Sequence, residues 1–124
     1  MILQEGEGWR FARDSARESF SILIGGEHWA FELTLREWRE LMTLVLELEQ
    51  QHRLLVDQLM AEEAISIELE RGPWWAALEG DRRQWGLAVV LTAVEGRSAE
   101  GAWPAPAAMA LVAAMRIELD KLND

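Results

Sequence analysis

The spacing with the sharpest chemical meaning is Glu49-Gln50-Gln51-His52, a Glu-x-x-His on a helical stretch. In a bundle, that spacing builds one half of a carboxylate-bridged di-metal centre. The reading fails on its complement: a second copy and two further helical carboxylates are needed, and the later helix offers Glu118 but no histidine. His52 also falls on the apolar stripe of its own helix, so a polar residue at a packing seam explains it better. His28 and Glu27 stand beside Gly25-Gly26 at an expected turn, and Glu62-Glu63 follow a helix. Both pairs fit solvated surface better than a cation site, which wants more ligands in a tight loop. Ser15, Ser19, Ser21, Ser66 and Ser98 lie in no nucleophile-elbow pattern, and no phosphate-loop or dinucleotide fingerprint occurs. No catalytic residue, metal or cofactor is therefore assigned.

Two sets remain that bind rather than react. Trp9, Trp29, Trp38, Trp74, Trp75, Trp85 and Trp103 are seven tryptophans in 124 residues without a tyrosine, and exposed indoles could stack bases. Packing explains most of them: Trp9, Trp29 and Trp85 are in phase with apolar neighbours, and Trp38 lies on a helix stripe. Trp103 stands where a helix starts, the place for a hydrophobic staple. Trp74 and Trp75 are adjacent, so on a strand they point to opposite faces, and Trp75 is the candidate contact residue. Among the arginines, Arg10 and Arg13 (with Arg17) near the start, and Arg82 and Arg83 on a hairpin tip, could hold a phosphate or a partner's carboxylate. Solvated charge is the competing account.

These residues are carried by a pattern that occurs twice: short strands, then a long apolar helix. The first copy spans roughly residues 8–60 and the second roughly 64–122, within a single domain, 1–124. Trp9–Arg13, Phe20–Ile24 and His28–Leu33 alternate with period two, with Gly25-Gly26 as a turn signal. Thr34 and Glu37 then form a capping box. The helix it opens is expected from Leu35 to about Met60, with Trp38, Val45, His52 and Leu59 every seventh residue and Leu41, Leu48 and Leu55 between them. Ile65–Glu70 alternates cleanly. Gly72-Pro73 turns the chain, and Trp74–Glu79 and Trp85–Val94 form a hairpin around Gly80–Arg83, with Leu87–Leu91 a central strand. Glu95–Gly101 is a polar loop with room for a short edge strand. Pro104 and Pro106 suit a helix start, and Ala107–Leu122 is its body, with Met109, Val112, Met115 and Leu119 as the buried stripe.

The formal net charge is −10, and Lys121 is the only lysine among twelve basic residues. From Glu47 to Glu70 there are seven acids against Arg53 alone. Such a chain repels phosphate backbones and anionic membranes at long range. No run approaches the roughly 20 apolar residues that span a bilayer. No signal-peptide pattern is visible, and without cysteine the chain suits a reducing compartment. The expected location is cytoplasmic.

The segments Gly6–Arg10, Ile22–Thr34 (ILIGGEHWAFELT), Leu59–Glu70 (LMAEEAISIELE) and Arg97–Pro104 (RSAEGAWP) together resemble a small cyanobacterial family of unknown function. Its fold is similar to that of the plant Whirly proteins and of a eukaryotic single-stranded-DNA-binding coactivator. The resemblance implies a duplicated strand–helix architecture and no known activity; DNA binding would be analogy from fold. The expectation is therefore an α+β, Whirly-like fold: a curved antiparallel sheet from two strand-strand-strand(-strand)-helix units, with both helices on its apolar side. The function expected first is a non-enzymatic binding or regulatory module with a protein partner. Single-stranded DNA or RNA binding comes second, disfavoured by the charge, and a small-molecule enzyme last. The long helix stripe leaves room for a homodimer.

Overall fold

The period-two segments become strands and the capping box becomes a helix start, in a computed structural model that describes residues 1–124. The first repeat runs β1 (Ile2–Gly6), β2 (Trp9–Arg13), β3 (Ile22–Gly26), β4 (Ala30–Leu33) and α1 (Leu35–Leu55). The second runs β5 (Ile65–Arg71), β6 (Trp74–Gly80), β7 (Trp85–Thr92), β8 (Ser98–Trp103) and α2 (Ala107–Leu122). The strands form two four-stranded antiparallel sheets, β1-β2-β3-β4 and β5-β6-β7-β8, each a meander in chain order. The fold is α+β with a duplicated unit, as the sequence indicates, and the sheets do not close on each other.

Both sheets turn an apolar face to the helices. Phe11, Ile22, Ile24 and Leu33 line that face in the first, and Trp74, Ala76, Leu78, Leu87, Val89 and Leu91 in the second; all are buried. The helices interlock the repeats. The first repeat's α1 packs on β5 and β6, while α2 packs on β7 and also on β1 and β2 of the first repeat. Trp38 of α1 is wholly buried, its ring 4.9 Å from that of Phe11. Trp74 Nε1 donates to the Glu37 carbonyl at 2.9 Å, tying β6 to the start of α1. The capping box forms in full: the Glu37 amide donates to Thr34 Oγ1 and the Thr34 amide to Glu37 Oε1.

Five local expectations are corrected. The helix from Leu35 stops at Leu55 and a single 3-10 turn, Val56–Gln58, follows. The stripe is buried only as far as His52; Leu54, Leu55 and Met60 meet solvent, so nothing holds a further turn. Gly25-Gly26 is not a turn but the buried end of β3, and the chain reverses at Glu27-His28 instead. Gly26 is bare because the Trp29 indole lies on it, 2.5 Å from where a methyl would stand. Strand β1 has no counterpart in the reading of the sequence; as an exposed edge strand it shows little apolar alternation. On α2 the buried line is Ala108, Leu111, Val112, Met115 and Glu118, with Met109 and Leu119 only half-buried. Trp103 staples no helix. It is 1% exposed, its Nε1 donates to the Gly25 carbonyl at 3.0 Å, and its ring lies 5.0 Å from Trp29, so it spans the seam between the sheets.

Candidate functional site

The face of β5–β8 turned away from the helices follows from register. Leu78, Ala76 and Trp74 point inward, so Trp75, Ala77 and Glu79 point outward. In the neighbouring strands Glu70 and Val90 flank Trp75, Glu68 and Ala88 flank Ala77, and Glu100 and Ala102 face Val90 and Ala88 from β8. The outcome is an apolar strip of Trp75, Val90, Ala77, Ala88 and Ala102 between carboxylates. Glu68, Glu70, Glu79 and Glu100 are all exposed, and no basic residue occupies an outward position in these strands. Trp75 is half-buried, whereas Trp74, one residue away, is in the core. Near Glu79 and Pro104 the small side chains leave a shallow hollow of about 350 Å³ floored by Ala77, Gly86, Ala88 and Ala102.

The arginines do not gather around Trp75. Arg82 and Arg83 stand exposed on the β6–β7 tip, beyond five strand residues, or about 17 Å, from Trp75. The tip is ordered by Asp81, whose carboxylate accepts the Gln84 and Arg83 amides at 2.8 Å each. Those two hydrogen bonds, Gln84 first, hold the Asp81 carboxyl below its ordinary range. Arg10 points outward from the other sheet, opposite Glu5 and across Gly25, and its buried Nε has no hydrogen-bond acceptor. Arg13 points inward. Its Nε lies 3.5 Å from Glu118 Oε2, a charge contact rather than an aligned hydrogen bond. Glu118, weighed in the sequence only as a helical carboxylate for a metal pair, is 3% exposed and takes a core position on an Ala-rich helix, which local pattern does not reveal.

Glu49 and His52 separate. Glu49 takes ion pairs from Arg53 and Arg116. His52 is buried against Trp85, with Nε2 2.9 Å from the Asp81 carbonyl, so it anchors the β6–β7 hairpin to α1. A cavity of about 550 Å³ opens where α1 starts, lined by Glu37, Glu40, Glu95, Arg36 and the turns at Pro73 and Val94. Its acids are already engaged: Glu40 with Arg36, and Glu37 and Glu95 with Arg97, which also covers the Phe20 ring at 4.7 Å. Arg97 is the residue whose role sequence reasoning missed. The sequence places it in a polar loop, yet it clamps the β7–β8 turn to the capping box. No helix is long and apolar enough to cross a membrane.

No curated protein matches the chain. Among solved structures it is similar to the crystal structure of a protein of unknown function from Prochlorococcus sp. NATL2A, described as from the DUF155 family. The two are 48% identical, with a TM-score of 0.91 over 95% of this chain and 98% of the other. A family model, "Domain of unknown function (DUF1818)", matches residues 4–117. That match takes in both repeats, every strand but the first residues of β1, and most of α2, and on it the chain belongs to the DUF1818 family of unknown function.

Proposed function

We propose that this chain is a non-enzymatic, cytoplasmic binding module that docks a protein partner on the outer face of β5–β8. One observation carries the reading: an apolar strip around Trp75 is framed by four exposed glutamates with no cation among them. Such a frame selects a partner that presents an apolar side chain flanked by lysine or arginine, because like charge at the rim is rejected and opposite charge speeds encounter. Glu37, Glu40, Glu95 and His52 are engaged in the fold instead, which supports binding over catalysis. The test is capture from a native extract with three baits: the wild type, Trp75→Ala and Ala88→Arg. Trp75→Ala is expected to weaken the complex about 30-fold, the size of a central aromatic anchor. Ala88→Arg should abolish it, and added salt should weaken it. A partner held equally by all three baits would refute this face.

Single-stranded nucleic acid is the second reading, favoured by the Whirly-like resemblance and by Arg10, whose guanidinium has no partner in the chain. The same glutamates oppose it, since they stand where a backbone following Trp75 would run. Titration with mixed-sequence single-stranded DNA and RNA is expected to give no saturable tryptophan quenching even at low salt, where phosphate binding is strongest. Saturable quenching lost in both Trp75→Ala and Arg10→Ala would reverse the order of the two readings.

A further inference from the structure

The loop joining β2 to β3, residues 14–21, borders a cavity of about 380 Å³ at the foot of the first sheet. Its lining gathers Arg13, Arg17, Ser15, Ser19 and Ser21, with Glu18 as its one acid. Two arginines and three serines lining one cavity is unexpected in a chain of net charge −10. Thr34 also borders it, but its hydroxyl already accepts the Glu37 amide, so the helix end is closed and contributes no anion site. The loop is shaped from within: the Asp14 amide donates to the Ser21 carbonyl at 2.8 Å, and the Asp14 carboxylate and carbonyl accept the Ala16 and Arg17 amides. The serine hydroxyls take no part in that shaping.

Both arginines keep donors in hand. Arg13 meets Glu118 through Nε alone, at 3.5 Å, and a quarter of its side chain stays accessible with the terminal nitrogens uncommitted. Arg17 meets Glu32 through Nη2 at 3.0 Å, in a pair whose members are both about half exposed. Exposed pairs of this kind are weak, so Glu32 yields readily to a better-placed anion. With Glu18, Glu32 and Glu118 set against Arg13 and Arg17, the formal charge around the cavity is not positive, so hydrogen-bond geometry and not net charge must supply the selectivity. Three hydroxyls and two planar forks suit a tetrahedral group with several acceptor oxygens better than a flat carboxylate with two.

We propose that this cavity is a phosphate subsite, taking inorganic phosphate or the phosphoryl group of a small phosphomonoester. It lies on the opposite repeat from the Trp75 face and stands or falls independently of it. The test is an amide-resolved NMR titration of the full chain with sodium phosphate, glycerol 3-phosphate, sodium acetate and sodium chloride at matched ionic strength. Saturable shifts confined to residues 14–21 and Thr34 are expected with phosphate and not with acetate or chloride. Saturation by phosphate alone assigns the site to the free ion; saturation by both phosphates assigns it to a phosphomonoester. Arg17→Gln and Ser19→Ala each change an exposed residue and leave the fold intact; each is expected to weaken binding at least tenfold, and Glu18→Gln to tighten it. Absence of saturation, an equal response to acetate, or unchanged affinity in both Arg17→Gln and Ser19→Ala would overturn the assignment.

Discussion

Trp103→Ala is expected to lower the unfolding free energy by about 3–5 kcal/mol, the range for truncating a buried tryptophan. That is a large share of the roughly 5–15 kcal/mol by which domains are stable. The effect should be large because Trp103 joins three things at once. It closes the end of β8, its ring packs on Trp29, and its Nε1 supplies the donor for the Gly25 carbonyl in the other sheet. Trp103→Phe separates these contributions. It keeps most of the packing and removes only the donor; Gly25 stays paired with Arg10 in the β2–β3 ladder, so the cost is that of one net hydrogen bond, about 0.5–1.5 kcal/mol. Equilibrium unfolding in urea followed by circular dichroism measures both. A loss below 1 kcal/mol for Trp103→Ala would mean that the sheets do not depend on this seam. Trp29 makes the same point from the other side, because its ring occupies the space that a side chain on Gly101 would need.

Local signals in the sequence were read correctly where a residue's role is settled by its near neighbours. Thr34 and Glu37 satisfy each other three residues apart, Ile65–Glu70 alternates on a strand with one face covered, and Pro104 and Pro106 mark the start of α2. The misses come from partners distant along the chain. Gly25-Gly26 looks like a turn because the Trp103 indole that hydrogen-bonds the Gly25 carbonyl comes from 78 residues away, and only the Trp29 indole over Gly26 is local. The stripe of α1 has apolar residues to Met60, but its periodicity carries no information about where the covering sheet ends. Arg13 reads as a free cation until α2, a hundred residues later, brings Glu118 beneath it. The same limit applies to the candidate site. That Trp74 and Trp75 part to opposite faces follows from strand geometry alone, whereas the ring of glutamates around Trp75 requires the pairing register.

Register also shows how two copies of one plan have diverged. Trp9 and Trp74 each open the second strand of their meander, opposite Gly6 and Arg71 at the end of the first. The next residue, pointing outward, is Arg10 in one copy and Trp75 in the other; three residues beyond these, on the inward face, stand Arg13 and Leu78 at matching steps. The first copy thus carries cations where the second carries apolar groups, on both faces of the strand. The two sites proposed above, the Trp75 face and the Arg13–Arg17 cavity, fall one on each copy.

The inward member of that divergence yields the second large effect. Arg13→Ala is expected to destabilise the fold by about 3 kcal/mol, since it leaves the Glu118 carboxylate buried without its cation. The value sits at the low end for buried pairs because Arg13 keeps a quarter of its side chain in water. Replacing both partners should behave differently. In Arg13→Met with Glu118→Leu, no charge remains to be solvated, and apolar volume replaces it between β2 and α2, so stability should return to within about 1 kcal/mol of wild type or exceed it. Urea unfolding of the single and double variants closes the cycle, and a double variant as unstable as Arg13→Ala would show that the pair is required for packing rather than compensated as a charge. The double variant also carries the phosphate question further. It retains Arg17 and the serines on a sound fold while removing one guanidinium, so phosphate affinity should fall although stability does not. A site built from two forks is thereby distinguished from a loop that merely loosens when its foot is disturbed.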